Sequence, residues 1–247
     1  MSGHRSSTVE AVLNQVAGVA ATLGGLYGQV FLADDEGHHD GRDFSFALEA
    51  QSGADELVVA STDGGMIDAA VTRAGQPIGV EDLHGGGSHF FAVDRAFTSF
   101  VHVVSDQPTA TFAAPAGDVR VVAQVSPSEG SDLLELGADV VVADAGEFDD
   151  QIVTDDDVWS NGSITVRREL FDFVLSEPWG GTDVFDGPAF LTLWRAEDLA
   201  FVHAHAELVG PTRFSFGVNL PGFGDYLAVL EFEHDGEVVT AMFRFSL

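Results

Sequence analysis

Two histidines one residue apart, His203 and His205, are the side chains best suited to specific chemistry. Apolar and polar residues alternate around them, which predicts a strand. Because residues two apart on a strand face the same side, the two imidazoles could share a copper or zinc ion, with His102 or Glu207 as third ligand. The alternative is that His203 and His205 are exposed at a strand end and that His102 is an ordinary strand residue.

The other motifs do not define a catalytic site. The absence of cysteine excludes disulfides, thiol catalysis and cysteine-bound zinc. The glycine run at 85–87 lacks the lysine of a phosphate-binding loop, because the chain contains no lysine. The acidic run Asp155, Asp156 and Asp157 does not have the ligand spacing of an EF-hand calcium loop. It therefore predicts a solvated linker. We therefore expect a protein that is not an enzyme, in which any cofactor is copper or another divalent metal.

One motif concerns covalent modification. Asn161, Gly162 and Ser163 match the Asn-x-Ser/Thr sequon for N-glycosylation. The motif has meaning only if the protein meets the glycosylation machinery, so the sequence alone leaves this question open.

The charge of the chain is strongly acidic. It has 40 acidic and 10 basic residues, all of the latter arginine, and its formal net charge is −30. This charge repels itself in dilute buffer but is screened at 1 M salt, where the Debye length is about 3 Å. A hydrophobic content of 45% with 20 Phe indicates a packed core. We expect a protein of an extreme halophile or its virus, with no direct nucleic acid binding, which needs a basic surface.

The N-terminal segment predicts a short amphipathic helix. Apolar residues recur at helical spacing from Val9 to Leu23, Ser7 and Glu10 form a capping box, and glycines at 24–25 would end the helix. The alternative is a membrane anchor, but polar residues and glycines interrupt the apolar run that a spanning helix needs. We expect this helix to pack on its own domain, on a neighbouring subunit or on a membrane surface.

Beyond residue 42 the sequence predicts an all-β protein with an internal repeat. Short apolar or alternating runs, such as Phe44, Phe46 and Leu48, are bounded by turn residues. An Arg-Ala pair precedes a Phe-Val-His stretch at 95–102 and again at 195–203, a period of about one hundred residues that suits tandem domains.

We therefore predict two tandem antiparallel β-sandwich or jelly-roll-like domains behind the short N-terminal amphipathic helix. An immunoglobulin-like topology is the alternative. The predicted segments are 1–41 (helix and acidic loop), 42–143 (first domain), 144–158 (acidic linker) and 159–247 (second domain).

Motifs from about residue 60 onward resemble a known family in order and spacing. They are Asp-Leu-His at 82–84, Phe-Val-His-Val-Val at 100–104, Leu-Glu-Leu-Gly-Ala-Asp at 134–139, Glu-Asp-Leu-Ala-Phe-Val-His-Ala-His at 197–205 and Phe-Glu-His-Asp-Gly at 232–236. The chain resembles the tandem β-sandwich, His-rich family of secreted or membrane-anchored, heavy-metal or copper associated proteins of high-GC bacteria. Val104, Ala206 and Phe190 depart from it, standing where the family has His, Pro and His. The resemblance implies the family's scaffold with eroded histidines.

Two functions follow as expectations. The first is a non-enzymatic structural or assembly protein, such as a capsid subunit of a halophilic archaeal virus or a surface-layer component. It would associate with itself or with other shell subunits, in the virion or at the cell surface. The alternative is an extracytoplasmic copper or heavy-metal-binding protein, which the resemblance, His203 and His205 suggest.

The acidity leads to a first testable prediction. We expect the fold or its assembly to loosen below roughly 1 M salt, because unscreened repulsion between carboxylates returns. Circular dichroism across a KCl dilution series would measure this, and a spectrum that stays unchanged down to low salt would contradict the halophilic interpretation.

Overall fold

A computed structural model describes residues 30–32, 46–81, 87–128, 133–147, 151–185 and 187–247. The described residues form β-strands and contain no helix. The strands, in chain order, are β1 (Val30–Leu32), β2 (Gln51–Ser52), β3 (Asp55–Thr62), β4 (Met66–Arg73), β5 (Gln76–Pro77), β6 (Ser88–Asp94), β7 (Phe100–Ser105), β8 (Thr109–Ala113), β9 (Gly117–Val125), β10 (Leu134–Val142), β11 (Val153–Thr154), β12 (Val158–Ser160), β13 (Thr165–Glu169), β14 (Asp172–Leu175), β15 (Phe190–Arg195), β16 (Phe201–His205), β17 (Glu207–Leu208), β18 (Arg213–Ser215), β19 (Val218–Leu220), β20 (Asp225–His234) and β21 (Glu237–Ser246). The predicted N-terminal helix lies outside the described residues. Within them, no helix is long and apolar enough to cross a membrane.

The strands form four larger sheets, which we name A to D. Sheet A has the order β2-β3-β4-β5, with β8 also paired to β4, and sheet B has the order β10-β9-β6-β7. Sheet C has the order β11-β21-β20-β15-β16, and sheet D the order β12-β13-β14-β18-β17. Neighbours within these sheets are antiparallel except β11 and β21, and β1 runs parallel to β19. The predicted all-β, antiparallel class is confirmed.

Each half of the chain supplies two sheets. Sheets A and B use strands between residues 51 and 142, and sheets C and D use strands between residues 153 and 246. β11 and the first residue of β12 lie within 144–158, the stretch predicted to be a linker. This stretch therefore contributes edge strands to sheets C and D.

The central strands of sheets B and C are buried on both faces. All seven residues of β6 are buried, and β15 is buried at every position but its last. Their sequences are nearly continuous apolar runs, in contrast to β3, where buried and exposed positions alternate. A strand buried on both faces must be covered on each side, so sheets B and C each pack against two neighbouring layers.

Three clusters of buried apolar side chains supply this cover. One joins residues of sheets A and B, and a second joins residues of sheets C and D. The third, here called the junction layer, joins sheet B to sheet C. Its members are Ala47, Phe91, Val93, Phe97, Phe100, Val122, Phe190, Trp194, Leu199, Phe201, Leu227, Val229 and Met242. Since burial of one large apolar side chain contributes about 1.5–3 kcal/mol, this layer ties the two halves firmly together.

Sheets B and C repeat the same arrangement of four strands. The order β10-β9-β6-β7 in sheet B corresponds to β21-β20-β15-β16 in sheet C. Val93 pairs with Phe100 at the end of the first hairpin, and Trp194 pairs with Phe201 at the end of the second. Counting along the strands from these pairs gives equivalent positions in the two halves: His102 with His203, His89 with Phe190, and Gln124 with Glu231.

A short segment before sheet A crosses the junction between the halves. Phe46 and Ala47 form a turn with φ of 48° and 49°, so the strand suggested by alternation at Phe44, Phe46 and Leu48 is wrong at 46–48. The turn directs the Ala47 and Leu48 carbonyls at the buried Arg120, which donates to them at 2.6 and 2.7 Å. The Phe46 carbonyl accepts from the Phe201 N–H at 2.8 Å, so one turn is bonded to both halves.

The turns that end the two equivalent hairpins are closed by carboxylates. In the first turn Asp94 accepts the N–H groups of Thr98 and Ser99 at 2.8 and 2.7 Å. In the second, Asp198 accepts from the Arg195 guanidinium at 2.9 Å. Partial burial raises the pKa of Asp198, but its bonds to Arg195 and to the backbone outweigh burial, and the pKa is lowered overall.

Candidate functional site

The histidines singled out by the sequence lie at the junction between sheets B and C. His102 comes from β7, and His203 and His205 come from β16. His89, on β6, joins them and is fully buried. Strand pairing places His89 beside Gln124, and Phe190 beside both His205 and Glu231. A row of polar side chains therefore lies beside the apolar rings of the junction layer. We call it the polar row; its members are His89, His102, Gln124, His203, His205 and Glu231.

One side of this polar row is a chain of three groups. His89 Nδ1 lies 2.9 Å from His102 Nε2, and His102 Nδ1 lies 2.8 Å from Glu231 Oε2. The side chains of His102 and Glu231 are only 3% and 6% exposed. A carboxylate only accepts hydrogen bonds, so His102 donates from Nδ1, and a neutral His102 accepts at Nε2 from His89. Glu231 therefore fixes the tautomer and orientation of His102 across the junction.

A second contact crosses the junction in the opposite direction. His203 on sheet C meets the Gln124 amide on sheet B, and its Nδ1 lies 3.3 Å from Glu135 Oε1. The Gln124 amide also donates to Glu135 at 2.5 Å. Gln124 is 1% exposed, whereas the side chains of His203 and Glu135 are 16% and 20% exposed, so the amide is enclosed and its partners lie partly open to solvent. Because His102 is equivalent to His203 and Gln124 to Glu231, the two crossing contacts are related by the repeat.

Phe190 stands between the two groups of histidines. Its ring centroid is 5.7 Å from that of His102 and 5.5 Å from that of His203, with interplanar angles of 24° and 16°. His205 lies on the same side of β16 as His203, with ring centroids 5.8 Å apart, and contacts the Phe190 edge at 5.2 Å. The structure therefore brings His203 and His205 together but separates His102 from them by an aromatic ring.

This separation bears on the predicted metal site. Among the described residues, no group of three or more His, Cys, Asp or Glu side chains is placed to hold a metal ion. His203 and His205 provide two nitrogen donors, with the Glu135 carboxylate beside His203. A site built from His102, His203 and His205 would require Phe190 to move, and the assignment of metal to these residues stays a prediction.

A tight turn from the second half covers the His89–His102 pair. Val184 and Gly187 bond to each other through both N–H groups, at 2.7 and 3.1 Å. Phe185 between them has φ of 51°, a conformation that costs about 1–3 kcal/mol in a bulky residue. Its ring packs 4.5 Å from that of His102 and 5.4 Å from that of His89, between centroids, and this packing holds the strained turn.

Sequence reasoning missed five members of this site: His89, Gln124, Glu135, Phe185 and Glu231. Glu231 carried a weak signal, because it directly follows the apolar run 226–230 of β20, although a second carboxylate, Glu233, stands two residues later. A charged residue at such a position needs a buried partner. Phe185 carried no such signal, since its sequence does not indicate a left-handed conformation.

Comparison with known proteins reaches the second half of the chain only. Residues 183–247 match a family model described as "Domain of unknown function (DUF8832)". The match contains β15 to β21, and with them Phe190, His203, His205 and Glu231. No curated protein matches the sequence.

The His102–Glu231 contact gives a second testable prediction. Glu231→Leu leaves the buried His102 Nδ1–H without its acceptor, and we expect the free energy of unfolding to fall by about 1–3 kcal/mol. Combining it with His102→Phe removes both partners of this contact and should recover part of the loss, but not all of it, because the buried His89 then loses its bond to His102. Urea denaturation in molar KCl would measure both, with the exposed Glu237→Gln as control. A loss from Glu231→Leu no larger than the control's would contradict the assigned contact.

Proposed function

We propose that this chain is a non-enzymatic structural protein that assembles into a shell or layer in a high-salt environment. A capsid subunit of a halophilic archaeal virus and a surface-layer component are the two forms of this role. The observation that carries the proposal is the junction layer, in which apolar rings and crossed histidine contacts join sheet B to sheet C. In such a junction the histidines hold the two sheets together instead of binding a ligand, and the two halves form one rigid subunit.

The proposed architecture is a pair of tandem β-sandwich or jelly-roll-like domains. Sheets A and B would form the first domain, 42–143, and sheets C and D the second, 159–247, with 144–158 between them. The apolar clusters shared by A with B, and by C with D, support this pairing. Stacked domains of this type are common material of capsid shells.

The proposed location is the virion or the cell surface of a halophile. The net charge of −30 supports it, since a surface this acidic is compatible with a compact fold when salt screens the repulsion. The same charge argues against nucleic acid as a direct partner.

The proposed partners are further copies of the chain and other shell subunits. Strands β7 and β10 form the edges of sheet B, and β11 and β16 form the edges of sheet C. Edge strands are templates for pairing with another chain. The N-terminal segment, outside the described residues, would add a contact to a neighbouring subunit or to a membrane surface.

A second candidate function is the binding of copper or another divalent metal outside the cytoplasm. The placement of His203 and His205 on one face of β16, with Glu135 beside His203, favours it. Metal binding there would compete with the His203–Gln124 contact and would weaken the junction that the first proposal depends on.

The third testable prediction concerns assembly. The full chain, purified in molar KCl, should form oligomers or ordered particles as its concentration rises, because shell subunits associate through closed or repeating interfaces. Light scattering after size exclusion and electron microscopy would detect them. A strict monomer at high salt and high concentration would overturn the proposal.

Calorimetric titration with Cu²⁺ separates the second candidate from the first. Wild type should bind no more tightly than the double variant His203→Ala/His205→Ala if the histidines serve the junction alone. His234→Ala, on the far end of β20, is the matched control. Binding lost only in the double variant would favour the metal function.

A further inference from the structure

The tip of the β12–β13 hairpin carries the glycosylation sequon of this chain. Asn161, Gly162 and Ser163 follow directly after β12, and all three are exposed. The chain has two other asparagines, Asn14 and Asn219, and neither has Ser or Thr two residues later. A sequon can accept a sugar only where an enzyme can reach it, as on a surface turn. The sequon at 161–163 lies on such a turn.

Hydrogen bonds hold the Asn161 carboxamide in one orientation. Its Oδ1 accepts from the Ser163 N–H at 3.0 Å, from the Ser163 hydroxyl at 2.8 Å and from the Ile164 N–H at 3.1 Å. The amide nitrogen Nδ2, on the opposite side of the group, has no hydrogen bond within the described part of the chain. The oxygen is thus bound by the turn and the nitrogen is left to react.

The backbone around this nitrogen is open. Gly162 has φ of +92°, and, apart from Gly162 and its two chain neighbours, no atom of the described residues lies within 4 Å of the position where a Cβ would stand. The neighbouring Ile164 is buried and anchors the hairpin in the core of the second half. The sequon therefore projects from a fixed base into free space, away from the junction layer.

We propose that Asn161 is an N-glycosylation site that accepts an oligosaccharide from a polyprenyl-phosphate-linked donor. In the transfer, the bond from Nδ2 to the anomeric carbon forms and the bond from that carbon to the donor's phosphate oxygen breaks. One Nδ2 proton goes to a base of the transferase, and the phosphorylated polyprenol leaves. In the cell, this modification rests on the proposed function, because the chain must reach the outer face of the membrane.

A glycan at this position would also protect the sheet edge beside it. β12 is an edge strand of sheet D and exposes Val158 on its surface. Edge strands with exposed apolar residues invite unwanted pairing between chains. A bulky, hydrated sugar at the hairpin tip covers this edge and leaves the edges of sheets B and C for assembly.

Peptide mass spectrometry on the full chain tests the proposal. The chain would be produced in a halophilic archaeal host and recovered from the cell exterior or from assembled particles. Cleavage after arginine places Asn161 in peptide 121–167, in which it is the one asparagine, so an N-linked sugar on this peptide is assigned to Asn161. We expect the sugar mass in wild type and in Ser163→Thr, which keeps the sequon, and no sugar in Asn161→Gln or Ser163→Ala. An unmodified peptide in wild type from the cell exterior overturns the proposal.

A purified reaction separates the failure of the site from the failure of the proposed location. Folded wild-type chain is incubated with a solubilised oligosaccharyltransferase and a polyprenyl-phosphate-linked oligosaccharide. Transfer to Asn161 that Asn161→Gln abolishes supports the site, and no transfer to the folded chain overturns it. If the chain is found only inside cells while transfer occurs in the purified reaction, the site stands and the proposed location is what fails.

Discussion

Polar side chains buried between two sheets must find hydrogen-bond partners there, and this constraint governs the junction of sheets B and C. The repeat satisfies it in a reciprocal way. His102 of the first half contacts Glu231 of the second, and His203 of the second contacts Gln124 of the first. Each half thus supplies one imidazole and one acid or amide, so the two halves fit in one register. Phe190 fills the space between the two contacts with an aromatic ring.

The same constraint explains how so acidic a chain keeps a core. The described residues bury four carboxylates, and each one has a bonded partner: Asp55 with Arg73, Asp94 with backbone N–H groups, Asp172 with Arg213, and Glu231 with His102. The remaining acidic side chains in this part of the chain are partly or fully exposed, where salt and water screen them. Several of the few arginines therefore bind carboxylates or carbonyls that the fold encloses, which leaves the surface strongly negative.

The sequence predicted the local features and missed the contacts between sheets. Alternating residues and turn signals are local, so they indicated strands, and they placed His203 and His205 on one face of β16. The pairing of His102 with Glu231 joins residues 129 positions apart through the packing of two sheets, which no local pattern records. The strand predicted from alternating apolar and polar residues is wrong at 46–48, because hydrogen bonds to Arg120 and Phe201 favour a turn there. The polar row is therefore visible only once both sheets are in place.

The central claim is that the junction is part of one core, so that the two halves do not fold as separate units. Differential scanning calorimetry of the full chain in molar KCl tests this most directly. The shared layer predicts a single transition, with calorimetric and van't Hoff enthalpies in a ratio of about 1. Two resolved transitions, or a calorimetric enthalpy about twice the van't Hoff value, would show that the halves unfold independently and would contradict the account.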